Sequence, residues 1–136
     1  MTHGPTMTQF DLDRLEALSD RLGQKDPPPP TLGALERQLD SAVVVEPNEV
    51  PPDVVTMNSR VRLSDPATRE AYEIMLVFPT MSALEEGRVS VLAPMGLALL
   101  GSREGDLVEW LTPRGTRRAR VERVVYQPEA AGHFDV

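Results

Sequence analysis

The chain has 136 residues, a net charge of −7 and no cysteine. That length suits one modest domain with an appendage. The lack of cysteine excludes a disulfide framework and any thiolate metal site, and the acidic balance argues against a general nucleic-acid binder, which carries a basic footprint. The acidity is uneven: residues 1–49 hold nine acidic and four basic side chains, residues 50–136 twelve and ten. A protein partner with a basic surface is one reading of that asymmetry; a helix surface kept soluble by charge is the other. No apolar run is long enough to span a bilayer, and Met1–Pro5 lacks the basic and apolar regions of a signal peptide. A soluble, cytoplasmic chain with no membrane partner is expected.

Leu12, Leu15, Leu18 and Leu22 recur at spacings of three and four, which places one apolar stripe on a helix over residues 8–22. Thr8 is the expected N-cap, with Asp11 three residues on as a capping-box partner and Met7 placed to staple against Leu12. Gly23 ends the helix, and the run Gln24–Pro30, with four consecutive prolines, cannot continue it. A second helix starts near Thr31, with Leu32, Leu35, Leu39 and Ala42 repeating the stripe. Facing leucine seams predict a short antiparallel helical hairpin over residues 1–46; a small helical cap on the main domain is the alternative. Pro47, Pro51 and Pro52 mark residues 47–57 as a linker.

From there the period changes to two. Val61 and Leu63 alternate with Arg60 and Arg62, and Tyr72, Ile74, Leu76 and Phe78 alternate with Glu73, Met75 and Val77. Val89–Leu92 is a short apolar strand, Leu107–Leu111 follows a Gly105-Asp106 turn, and Pro113-Arg114-Gly115 turns into a last strand over Thr116–Tyr126. Along that strand Ala119 and Val121 share a parity that Val124 and Tyr126 break, so a one-residue bulge near Glu122-Arg123 is required to keep a common inward face. Between the strands, Pro94 opens a helix that stops at Gly101. Its Leu97, Ala98, Leu99 and Leu100 are apolar nearly all round, the mark of a largely buried helix. Antiparallel strands with one helix over residues 58–136 give an α+β domain. The tail from Gln127 onward is expected to be irregular.

No catalytic constellation emerges. His3 and His133 stand at opposite ends without metal-ligand spacing, there is no phosphate loop, and no catalytic residue, metal or cofactor is assigned. Arg114, Arg117, Arg118, Arg120 and Arg123 form a basic run that Glu122 interrupts. With aromatic residues at 4%, stacking platforms for nucleic acid are scarce, so a solvated strand face is expected and no direct nucleic-acid contact.

The order strand, proline-started helix, Ala98-Leu99-Leu100-Gly101 and Gly105-Asp106 turn resembles the C-terminal domain of the Gre transcript-cleavage factors, and the likeness runs over Asn58–Tyr126. The stretches Pro52–Val61 and Tyr126–Gly132 are similar to a narrower Gre-like group, the regulators of nucleoside diphosphate kinase (the Rnk group). The resemblance implies an FKBP-like antiparallel sheet with one helix, preceded by a shortened coiled coil. It also implies a non-enzymatic regulator that binds RNA polymerase at the rim of its secondary channel and competes there with Gre factors. Gre factors use the strand and loop before the proline-started helix for that contact, and the matching positions are Ser90, Leu92 and Pro94. Ser90 and Pro94 agree with the family type; Leu92 replaces a residue that is often polar or acidic. For both matched residues a purely structural role, a strand hydroxyl and a helix starter, stands beside the docking role. The link to nucleoside diphosphate kinase is expected to be indirect, through expression.

Gre factors hold a metal ion for the polymerase with acidic residues at the coiled-coil tip. Here each predicted helix has about 14 residues, roughly 20 Å, and the tip offers Asp26 beside Lys25. One carboxylate next to an ammonium is a poor Mg²⁺ site, so Asp26 is read as a solvated turn residue. Direct regulation of the kinase and FKBP-like prolyl isomerisation are the other functions considered; the second needs a deep aromatic pocket that one Trp, two Tyr and three Phe hardly supply.

Overall fold

The computed structural model describes residues 4–134 and 136; His3 lies outside them. A two-residue strand β1 (Thr6–Met7) leads into helix α1 (Gln9–Gly23), and helix α2 (Leu32–Asp40) returns to a two-residue strand β2 (Val43–Val44) that pairs in parallel with β1. Thr8 caps α1 as its sequence position requires: its hydroxyl accepts the Asp11 N–H at 3.2 Å. Met7 and Leu12, at the staple positions, both join the core. Leu15, Leu18 and Leu22 of α1 and Leu32 and Leu35 of α2 are buried, so the leucine seam forms. The second helix is shorter than its apolar pattern implies, nine residues, because the chain reaches Thr31 only after the proline run and leaves the helix at Ser41.

The larger sheet has the order β5-β4-β3-β7-β6, built from β3 (Arg60–Ser64), β4 (Ala71–Val77), β5 (Arg88–Ser90), β6 (Leu107–Thr112) and β7 (Gly115–Tyr126). It is mixed rather than antiparallel: β5 runs parallel to β4. The cause is the crossover between them. Turns at Pro79–Met81 and Leu84–Glu86 carry the chain back alongside β4 before β5 starts. Val61, Leu63, Ile74, Leu76, Val89, Ala119 and Val121 share the covered face. Helix α3 (Pro94–Leu99) completes the core. Leu97, Leu99 and Leu100 are all buried, although one face of a continuous helix cannot turn all three to the sheet. The helix ends at Leu99, and Leu100 turns to φ −58°, ψ 120°, so its side chain points inward from outside the helical spiral.

The bulge on β7 falls at Glu122, where Leu63 faces Val121 and Arg62 faces Arg123; a second shift follows before Tyr126. Past Leu107, β6 no longer covers β7. There the Asp106 carbonyl accepts the Val121 N–H at 2.8 Å, and the Glu104 carboxylate accepts the Val124 N–H at 2.9 Å, so the exposed edge keeps its hydrogen bonds.

Residues 47–57 are irregular in backbone yet do not hang free. Val50, Val54, Val55 and Met57 are interior. The tail beyond β7 holds them: the Gln127 amide donates to the carbonyls of Pro51 (2.8 Å) and Val54 (2.7 Å), and Thr56 donates to the Glu129 carboxylate at 2.7 Å. Gln127 and Glu129 are themselves buried. Two stretches far apart in sequence thereby form one buried polar seam.

Candidate partner-binding site

Ser90 closes β5, and the chain turns directly into α3. The Ser90 hydroxyl accepts the Leu92 N–H at 3.0 Å, and the Ser90 carbonyl accepts the Ala93 N–H at 3.0 Å. Pro94 takes the first helical position, where its missing N–H costs nothing. The turn is tight because Gly96 lies against it. A Cβ at Gly96 would stand 2.0 Å from the Ser90 carbonyl oxygen, so only glycine lets the helix settle on the strand end. The three sequence-assigned residues thus share one rigid turn: Pro94 exposed, Ser90 and Leu92 half-buried. The Ser90 hydroxyl oxygen is engaged internally; among these positions Pro94 offers the open surface.

Sequence reasoning missed the apolar rim beside β5. Met81 and Leu84 in the crossover are exposed, Leu84 at 78%, and the Met81 carbonyl accepts the Arg88 Nε–H at 2.8 Å. Strand periodicity carries no signal for them, because they lie in turns.

The hairpin presents the opposite character. Glu16, Asp20, Glu36 and Asp40 line a shallow groove between α1 and α2. At the tip Lys25 and Asp26 are both exposed. Among the described residues no group of three or more His, Asp or Glu could hold a metal ion. The arginines of β7 are exposed, and Arg118 pairs with Glu109 at 3.2 Å, a solvated arrangement worth little. The aromatic residues do not gather around a cavity: Phe10 and Phe78 instead flank the guanidinium of Arg14, at 4.1 and 4.8 Å.

Among the described residues, the foot of α1 holds the most perturbed ionisable group. Asp11 is 2% exposed and pairs with Arg14, one turn along. Burial pushes its carboxyl up to about 6, against the lowering effect of the Arg14 hydrogen bond and charge. The Glu129 charge raises it further, and the Met57 backbone N–H lowers it.

Comparison with known proteins agrees with this architecture. Residues 50–126 match the family described as transcription elongation factor, GreA/GreB, C-terminal. The Regulator of nucleoside diphosphate kinase of Escherichia coli K12 is 39% identical over 133 residues, 96% of each chain. A solved structure of a prokaryotic transcription elongation factor GreA/GreB from Nitrosomonas europaea superposes with a TM-score of 0.79 at 38% identity, over 92% of this chain and 100% of that one. The Transcription inhibitor protein Gfh1 of Thermus aquaticus is 38% identical over 92 residues, 66% of this chain and 57% of that protein. With its helical N-terminal part, its curled sheet and these matches, the chain belongs to the GreA/GreB family, in the group of the E. coli protein named Regulator of nucleoside diphosphate kinase.

Proposed function

We propose that this protein is a non-enzymatic, cytoplasmic transcription regulator that docks on RNA polymerase at the rim of the secondary channel, displaces Gre-type factors there, and affects nucleoside diphosphate kinase levels through expression. The observation that carries the reading is the combination of a Gre-type strand–Pro–helix turn, open at Pro94, with a hairpin unsuited to metal delivery. Relatives named as elongation factors and as a transcription inhibitor support a polymerase partner. The sheet with its single helix is read as FKBP-like in plan, without the aromatic pocket that prolyl isomerisation demands. At about 1.5 Å per residue α1 is roughly 22 Å long, and a single carboxylate beside Lys25 gives Mg²⁺ too few ligands.

The test is a backtracked elongation complex with Mg²⁺, challenged with this protein, a Gre factor, or both. The protein alone leaves the RNA at full length, and an excess of it over Gre suppresses Gre-dependent shortening. Pro94→Asp relieves that suppression, while Asp26→Asn changes nothing. Shortening by this protein alone that vanishes in Asp26→Asn would overturn the reading. Co-purification with the kinase instead of core polymerase would favour the second reading, direct regulation of nucleoside diphosphate kinase, which rests on the name of the E. coli relative.

A further inference from the structure

We infer that Arg14, held between Phe10 and Phe78 and paired with Asp11, is the positioning residue that fixes the direction in which the helical hairpin leaves the sheet. Phe10 and Arg14 belong to α1, whereas Phe78 follows directly on β4. The guanidinium lies over both rings, at 4.1 and 4.8 Å, so this cation is a rivet between hairpin and sheet. Its Nη2 also donates to the Val136 carbonyl at 2.9 Å. The second helix of the hairpin is tied separately: the Gln38 amide of α2 donates to the Leu97 carbonyl of α3. One tether on each helix of the hairpin defines a direction; one alone leaves a pivot.

The Asp11–Arg14 pair is not built for stability. Asp11 Oδ2 and Arg14 Nε are buried without a hydrogen-bond partner among the described residues. The charged groups facing Asp11 are Arg14 on its own helix and Glu129 in the segment after β7, with the Met57 N–H from the segment before β3. A burial that leaves polar atoms unpaired trades stability for a defined geometry. Here that geometry is the rotamer that lays Arg14 on Phe78. Loss of the Asp11 charge removes the constraint and leaves the rings with an unrestrained cation.

The inference is independent of polymerase binding and is tested on the protein alone. The chain has no cysteine, so spin labels at Gln24→Cys near the hairpin tip and Thr116→Cys on β7, both exposed, report the hairpin direction by pulsed electron resonance. At about pH 7.5 a single narrow distance distribution is expected. Arg14→Met, which keeps the aliphatic stem, should widen it about twofold or more. Acidifying the otherwise unaltered labelled protein should widen it in the same way, with a midpoint near 6. Asp11→Asn should be wide at both pH values and insensitive to the change. An unchanged width in folded Arg14→Met, or no acid response in the unaltered background, overturns the inference, as does an acid response that persists in Asp11→Asn. The acid response alone decides the matter if a variant fails to fold.

Discussion

Replacing Gly96 by alanine tests how the Ser90–Pro94 turn is made. A new Cβ would stand 2.0 Å from the Ser90 oxygen, 2.9 Å from its carbonyl carbon and 3.0 Å from the Val91 Cα. All three are backbone atoms, so no side chain can swing away; α3 must lift off the strand end by more than 1 Å to reach an ordinary contact of about 3.5 Å. Two terms oppose each other. Alanine gains about 1 kcal/mol over glycine in a helix, and forcing extra volume into a packed site costs about 1–3 kcal/mol, more where backbone blocks it. The clash wins, because lifting α3 also loosens Leu97 and Leu99, both buried. With the backbone clash at the upper end of that cost, about 3 kcal/mol, a net loss of about 2 kcal/mol is expected, a fall of several degrees in melting temperature at this chain length. Gly33→Ala is the control. It is also helical, but its nearest foreign atom is the end of Arg37 at 3.5 Å, so it should stabilise by about 0.5–1 kcal/mol. Thermal melts of the two variants side by side decide the question. If Gly96→Ala melts at or above the parent temperature, the close approach is not a constraint and the rigid-turn account of the site is wrong.

Two further outcomes follow from the buried polar groups. The Asp11 carboxyl is raised from 3.8 to about 6, so the folded protein binds a proton there more tightly than the unfolded chain does. Its contribution is fully present below about pH 3.8 and is lost as pH rises through 6, which leaves the ionised group costing about 3 kcal/mol at neutral pH. In urea melts, Asp11→Asn should therefore gain stability relative to the parent at about pH 7.5 and lose that advantage near pH 4; a gap that does not depend on pH refutes the assignment. Gln127→Ala strips the amide from the Pro51 and Val54 carbonyls and should cost about 2–4 kcal/mol, read as a fall in the urea midpoint at unchanged slope, whereas truncation of exposed Leu84 should fall within about 0.5 kcal/mol.

The sequence speaks clearly wherever one physical rule acts alone. The leucine stripes of α1 and α2, the Thr8 cap, the alternation in β3 and β4 and the bulge at Glu122 all follow from local period and side-chain chemistry. It is silent where two segments must meet. The parallel pairing of β5 depends on the path of the crossover, which Pro79 and Gly87 permit but do not dictate. The interior position of Val54 and Val55 depends on Gln127 arriving from the far end of the chain. In the turn after β5, family likeness singles out Ser90 and Pro94, whose docking role is a proposal, whereas nothing in the sequence singles out Gly96, because a glycine chosen for close approach looks like any other. The sequence marks Asp11 as a capping-box partner, but its carboxylate turns to Arg14 instead of closing the box on Thr8; that it is buried against Glu129 and Met57 is a tertiary fact with no local trace.

The family match stops at Tyr126, yet Gln127 and Glu129 just beyond it are buried. Glu129 accepts from Thr56 and faces Asp11 at the foot of α1; Gln127 holds the chain at Pro51 and Val54. The two stretches that resemble the narrower group, Pro52–Val61 and Tyr126–Gly132, are therefore the two halves of one socket, and α1 stands in it. A long coiled coil can correct a small error of direction by further contacts along its length. A hairpin whose helices have fifteen and nine residues has few such contacts, so its direction must be set at the foot. On this argument the residues that mark the narrower group serve the hairpin rather than the Ser90–Pro94 turn, and Pro94→Asp and Arg14→Met should fail in different ways: the first in docking with the hairpin direction intact, the second in hairpin direction with the turn intact.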